Sequence, residues 1–282
     1  MTAAPAAAIE AALGQKPRNL TPLAGGCIAE VYRAELADGS VVAAKWAAAG
    51  GLEPEGFMLR YLEQHSELPV PGVIHAGEDL LVLDYVETGG SLGPEAEVHA
   101  AELLAALHGI TAPRYGFERD TLIGSLHQPN PWTESWTAFF AEQRLLHFGR
   151  VAQEAGHLPA ETLRRLERLC GRLPDLLGPA AAPSLIHGDV WGGNVLVSGG
   201  RIAAFIDPAI YFADAEVELA FSTLFGTFGE PFFRRYDELR PLRPGFFEAR
   251  RDLYNLYPLL VHTALFGGHY AQSVARTLDR FV

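Results

Sequence analysis

The sequence predicts an α+β fold in two lobes, a small β-rich N-terminal lobe and a larger, mainly helical C-terminal lobe. Three observations carry this expectation. Residues 28–46 alternate and turn as a β-hairpin does. The apolar run of DLLVLDYVETGG ends in glycines, which suits a buried strand running into a linker. From Pro94 onward, apolar residues recur at helical spacing. The expected organisation is an N-terminal nucleotide-binding lobe over 1–86, a hinge over 87–93 and a helical lobe over 94–282.

Taken in order, the chain opens with an alanine-rich helix. Strands over Ile28–Leu36 and Ser40–Trp46 flank Ala37-Asp38-Gly39, a usual short turn. Gly25 and Gly26 precede the first strand, where glycines let backbone N–H groups approach phosphate oxygens without Cβ interference. Lys45 sits inside the apolar run VVAAKWA, in a chain with only two lysines against twenty arginines. An ammonium there needs a carboxylate partner to stay charged and fixed. Glu55 offers one, on a helix predicted over Pro54–His65 with Phe57, Leu59 and Leu62 facing inward; Glu53 is the competing candidate.

PEAEVHAAELLAALHGI reads as an amphipathic helix with Val98, Leu103, Leu104 and Leu107 inward and Gly109 near its stop. His99 and His108 have no partner at metal-ligand spacing, so solvated or helix-terminal positions are expected for them. The next segment starts as a loop and becomes a long aromatic helix, with most of Trp132, Trp136, Phe139 and Phe140 expected in the core. Leu163, Leu166, Leu169 and Leu173 recur at helical spacing and draw Cys170 inward with them. Beyond residue 207, helices are predicted to break at Gly229-Glu230-Pro231 and near Pro241 to Gly245.

The chemistry is concentrated in SLIHGDVWGGNVLVSGGRIAAFID, Ser184 to Asp207. Asn194 stands five residues after Asp189, and Asp207 thirteen after Asn194. Taken singly, Asp and Asn after a strand are ordinary turn residues. Together they form the pattern H-x-D-x-x-x-x-N followed by D. A loop leaving a strand offers Asp189 as base to a hydroxyl. Asn194 and Asp207, brought back by a hairpin turning at Ser198-Gly199-Gly200, then hold a divalent metal over a triphosphate.

Composition narrows the classes. The formal net charge is −12 and no block of Lys or Arg stands out, which argues against a nucleic-acid partner. An acidic surface would repel a triphosphate, so binding one requires local cations, backbone N–H groups and metal; cationic amines feel a mild opposite pull. No apolar run reaches the roughly 18 residues that cross a bilayer. The N-terminus lacks the basic head of a signal peptide, so a soluble cytoplasmic protein without a membrane partner is expected. The two cysteines, Cys27 and Cys170, do not suggest a disulfide framework.

In sequence order these pieces resemble the fructosamine kinase (ketosamine 3-kinase) family, a branch of the aminoglycoside and choline kinase-like enzymes, over most of the chain. The similar stretches are GGCIAEVYR at 25–33, IGSLHQPNPW at 123–132, HGDVWGGN at 187–194, DPAIYF at 207–212 and the late LFGGHY. The resemblance implies a bilobal protein-kinase-like fold with ATP and Mg2+ as cofactors. The reaction it implies is phosphorylation of the 3-hydroxyl of a ketosamine, free or on a protein, whose ester then breaks down and releases the amine. Carried onto this chain, it makes Asp189 the base, Asn194 and Asp207 the Mg2+ ligands, and Lys45, paired with Glu55, the phosphate ligand.

Backbone at Asp84, Tyr85 and Val86 would meet the adenine edge. Trp191 and His262 would wall the sugar-amine pocket; packing beneath the loop and a satisfied core histidine are their plainer readings. A monomer or weak homodimer is expected. Cys27, beside the glycines, is a hypothetical redox-sensitive position. There are departures from the family pattern at Thr121, Ala213, Ala215, Glu218, Val261 and Ala264, positions expected to border the acceptor side. A kinase for another hydroxylated amine, such as an aminoglycoside or choline, is the alternative, and a non-catalytic nucleotide-binding protein a more distant one. A protein kinase is disfavoured because no APE pattern follows Asp207.

Overall fold

The computed structural model describes residues 3–23 and 29–282, so Gly25, Gly26 and Cys27 lie outside the described residues. Five antiparallel strands form the first sheet: β1 (Asn19–Pro22), β2 (Glu30–Glu35), β3 (Val41–Trp46), β4 (Val73–Ala76) and β5 (Leu80–Asp84), in the order β1-β2-β3-β5-β4. Strand side chains alternate between faces. Val42, Ala44, Leu80 and Val82 therefore pack with Ile9 of helix α1 (Ala3–Leu13) on one face. Leu81, Leu83 and Ala43 pack on the other, with Leu59 of helix α2 (Glu53–His65). Lys45, next after Ala44, falls on the α2 side, and this alternation is what aims its ammonium at that helix. The β2–β3 turn is closed by Asp38, whose Oδ1 accepts from the Ser40 N–H at 2.9 Å.

After β5 the chain is irregular until α3 (Pro94–His108). Gly89 interrupts this linker, donating to the Val197 carbonyl at 2.9 Å and accepting from the Gly199 N–H at 3.2 Å. Those two bonds tie it to the hairpin of β9 (Val195–Ser198) and β10 (Arg201–Phe205). Two further pairs are β6 (Thr121–Ile123) with β7 (Leu126–Gln128), and β8 (Ser184–Ile186) with β11 (Tyr211–Ala213). The remaining regular elements are helical: α4 (Trp136–Phe139) runs through a π-helical stretch into α5 (His147–Glu154), followed by α6 (Ala160–Cys170), α7 (Leu173–Leu177), α8 (Glu216–Leu224), α9 (Glu230–Leu239), α10 (Arg251–Phe266) and α11 (His269–Leu278). One continuous core links them, including Trp136, Phe139, Phe140, Phe148, Tyr211, Tyr254 and Leu260. No described helix is long and apolar enough to cross a membrane.

Three expectations are corrected here. The inward face of α3 is built on Ala96, Ala100, Ala101, Leu104 and Leu107, with Val98 and Leu103 only half-buried. Alanines allow α9 to approach closely, so the buried stripe is rotated from the one that bulky residues mark. His108 ends α3, as a helix-terminal position would, but it is fully buried on that stripe and not solvated. Trp132 is 36% exposed with the Arg114 guanidinium over its ring at 5.7 Å, so it lies outside the core.

The departures from the family pattern, Thr121, Ala213, Ala215, Glu218, Val261 and Ala264, are all buried, so each bears on packing. Thr121 shows what such a position does. Its hydroxyl accepts from Gln128 Nε2 and Asn130 Nδ2, both at 2.8 Å. Arg144 donates to Asn130 Oδ1 at 2.6 Å while its guanidinium lies 3.9 Å from the centre of the Tyr211 ring, bracing β11 from behind.

Candidate active site

Strand β8 delivers the loop that begins at His187, and its pairing with β11 holds the two ends of the HGD and DPAIY segments together. The His187 carbonyl accepts from the Ala209 N–H at 2.8 Å. Gly188 then turns with φ +87°, and a Cβ there would lie 2.1 Å from the Ala209 carbonyl oxygen. Only glycine fits both the dihedral and the space. Gly188→Ala is expected to cost about 1–3 kcal/mol from backbone strain alone, read as a fall in the urea midpoint.

Two residue groups converge beyond this turn. Asn194, buried on a short 3₁₀ turn, donates from Nδ2 to both the Asp189 carbonyl and Asp189 Oδ2, each at 2.9 Å. This fixes the Asp189 rotamer and turns the Asn194 amide oxygen the other way. Asp207, just past β10, has φ +56°, the left-handed region that Asp tolerates better than most side chains. It is joined to the loop through the Ile206 N–H, which donates to the Asn194 carbonyl at 3.0 Å. Lys45 bridges the lobes: its Nζ donates to Glu55 Oε1 at 2.6 Å and also to Asp207 Oδ1. Glu53 instead pairs with Arg119 at 3.2 Å on the surface.

The electrostatics follow from burial and these partners. Burial alone would lower the Lys45 pKa, but the carboxylates of Glu55 and Asp207 outweigh it and hold the ammonium above its ordinary value. Burial, reinforced by the negative charge of Asp207, pushes the Asp189 carboxyl up to about 8, against a partial pull-down by the Asn194 hydrogen bond. A carboxylate with raised proton affinity suits removal of a hydroxyl proton. Asn194 and Asp207 together offer an amide and a carboxylate oxygen. That donor set fits Mg2+, which takes one or two protein oxygens and completes its shell with phosphate and water.

The sequence reading missed what holds the loop from below. Glu218 of α8 is buried, its Oε1 accepting from the Gly188 N–H at 2.5 Å and its Oε2 from the His187 N–H at 3.3 Å. The same Oε2 lies 2.8 Å from His108 Nε2, and His108 Nδ1 lies 2.7 Å from the Tyr236 hydroxyl. One tautomer satisfies both, with Nε2–H donating to Glu218 and Nδ1 accepting from Tyr236. Burial alone would raise the Glu218 pKa, but the hydrogen bonds from His108 and the Gly188 N–H hold the carboxyl below its ordinary value. The available signal was a second carboxylate, two residues after Glu216, at the head of the apolar run EVELAFSTLF.

The remaining candidates fall in two places. Asp84 ends β5 exposed, Tyr85 and Val86 follow half-buried, and Arg33 lies over the Tyr85 ring at 5.3 Å. Trp191 is 40% exposed on the loop, so it does not pack beneath it; a Cβ on Gly193 would come within 2.3 Å of its ring. His262, half-buried on α10, has its ring centre 5.1 Å from that of Phe225, which in turn is 6.1 Å from Trp191.

A small antiparallel sheet lobe against a helical body, with two carboxyl groups and an amide gathered near a bridging lysine, defines a kinase-like phosphotransferase fold. An aminoglycoside phosphotransferase solved as an apo thermostable mutant shares that fold at a TM-score of 0.69 and 17% identity, covering 98% of this chain and 97% of its own. The match narrows further within this class. The fructosamine kinase family model matches residues 1–282, and the chain belongs to that family. A Vibrio parahaemolyticus protein assigned as a ketoamine kinase is 36% identical over 236 residues, 82% of this chain and 80% of the relative. A crystal structure from Thermobifida fusca, assigned as a fructosamine-3-kinase, aligns at a TM-score of 0.84 and 33% identity over 98% of both chains.

Proposed function

We propose that the protein transfers the γ-phosphoryl group of ATP to the 3-hydroxyl of a ketosamine, with loss of the resulting ester releasing the amine. The observation that carries this reading is the Asp189 carboxyl group, held by Asn194 beside the Lys45–Asp207 pair, in a member of this family. In it, Asp189 accepts the proton of the attacking hydroxyl, which must lie within hydrogen-bond reach of Oδ1 or Oδ2. Lys45, kept charged by Glu55, holds phosphate oxygens, and its contact with Asp207 gives way as they arrive. Residues 1–86 act as the nucleotide lobe, 87–93 as the hinge and 94–282 as the acceptor lobe, with adenine meeting backbone at Asp84, Tyr85 and Val86. Mg2+ held by Asn194 and Asp207 would neutralise charge on the transferring phosphate. Positioning and charge neutralisation supply most of the rate, so the chain needs few groups beyond these.

The test is ADP release with and without Mg2+ on ribulose-lysine, fructose-lysine, an aminoglycoside and choline. Mg2+-dependent turnover is expected with one or both ketosamines. Turnover confined to the aminoglycoside or choline overturns the substrate class.

A further inference from the structure

Helix α2 carries Glu55 towards Lys45, and a second face of the same helix meets the helical lobe. Glu53, Phe57, Tyr61 and His65 recur every fourth residue and so share that face. The buried ring of Phe117 stands edge-on against it, 4.8 Å from Tyr61 and 6.2 Å from Phe57 between ring centres. Two residues on, the Arg119 guanidinium lies 4.5 Å from the centre of the Phe57 ring and donates to Glu53 at 3.2 Å. Met58 and Leu62 of α2 belong to the main core of the helical lobe as well.

Phe117 is itself fastened to the segment that follows Asp207. Gly116 exchanges two backbone hydrogen bonds with Phe212 of β11, at 3.0 and 2.8 Å, and the Phe117 N–H donates to the Asn130 carbonyl at 2.9 Å. The Phe117 ring stacks on that of Phe212 at 6.2 Å. A Cβ on Gly116 would lie 2.6 Å from the Pro131 carbonyl oxygen, so the backbone here is packed too closely to shift. On its other side α2 sits directly on the sheet: a Cβ on Gly56 would meet that of Ala76 at 2.5 Å, and Leu59 packs with Leu81 and Leu83. A packed path therefore runs from Glu55 through Phe57 and Tyr61 to Phe117, Phe212 and the chain that leaves Asp207. It joins the two acceptors of the Lys45 ammonium.

We propose that Phe117, Phe57 and Tyr61 are positioning residues for Lys45: by clasping α2 to the helical lobe they hold Glu55 at one spacing from Asp207, so that both carboxylates share the ammonium. The effect on phosphate binding rests on the phosphoryl-transfer reading above; the effect on the lysine does not. An α2 free to rock takes Glu55 away from Lys45 and admits water. A buried ammonium that loses one of two carboxylates gives up its proton more readily and reacts faster as the free amine.

The chain has two lysines, and Lys16 is exposed, so it serves as the internal reference when Lys45 is acetylated with N-hydroxysuccinimidyl acetate and read by mass spectrometry. In F57L/Y61L, where leucine keeps apolar bulk without the ring edges, the Lys45-to-Lys16 rate ratio is expected to rise about five-fold or more. Tyr61→Phe keeps the ring and should stay at the wild-type ratio. Val274→Ala, a truncation of the buried side of α11, controls for general loosening. A ratio unchanged in F57L/Y61L, or one that rises as much in V274A, overturns the proposal; if the pair does not fold, Tyr61→Leu alone is read by the same criteria. Calorimetric titration of ATP with Mg2+ supplies the second reading. Affinity is expected to fall about five-fold or more in F57L/Y61L and no further when the same pair is changed in a Glu55→Gln background. Equal losses in the two backgrounds overturn the proposal, because the rings then act on something other than Glu55. Failure of wild type to bind ATP counts against the phosphoryl-transfer reading instead, and the labelling ratio decides the clasp by itself.

Discussion

The Asp189→Asn variant is expected to lose about three or more decades of turnover while binding ATP with an affinity within a few-fold of wild type. The substitution is isosteric. The new amide still offers an oxygen to Asn194 Nδ2, which now donates to Asp189 at 2.9 Å, so the loop keeps its shape. The ability to take a proton from the attacking hydroxyl is lost. Because Asp207 raises the proton affinity of Asp189, removing that charge relieves a repulsion and does not weaken the nucleotide side. Single-turnover rates and nucleotide titration read the two quantities separately. Near-normal turnover removes Asp189 from the role of base.

Glu218→Ala is expected to lower the unfolding free energy by about 3–5 kcal/mol, because it strands buried partners. The Gly188 and His187 N–H groups and His108 all lose their acceptor at once, and none can reach water. Glu218→Gln keeps an acceptor without the charge and should fall between the two. The pH dependence has a definite sign. The folded-state pKa of Glu218 lies below its ordinary 4.5, so its contribution is fully present above that value and is lost as pH falls through the folded pKa. Wild type should therefore shed more stability than Glu218→Gln on acidification below about 4.5, measured by urea unfolding at stepped pH. Parallel curves for the two proteins would show that Glu218 is not held ionised by its partners.

Lys45 and Glu218 show how much of the site could be read from the chain. Each is a charged residue in or at the head of an apolar run. Lys45 could be interpreted because its partner is ten residues away on the next helix, within one local unit. Glu218 serves groups 30, 31 and 110 positions distant, and appeared in the sequence only as a departure from the family pattern. The same limit explains α3. Helical periodicity located the element and its Leu104 and Leu107, but alanines and His108 complete its inner face, and neither marks a core position as a bulky apolar residue does.

By itself the sequence determined the features set within a few residues: the hairpin that returns Asp207 beside Asn194, and the strand that carries Lys45 in an apolar run ten residues before Glu55. Periodicity and turn chemistry are local properties of the backbone, so they survive without knowledge of the rest of the fold. Tertiary structure alone decided that Lys45 meets Asp207 across 162 positions, that Glu218 and His108 brace the loop from beneath, and that the ring of Phe117 stands against Phe57 and Tyr61 of α2. Such contacts depend on how distant helices pack, and packing is settled by the shape and burial of the whole core, which no short window of residues contains.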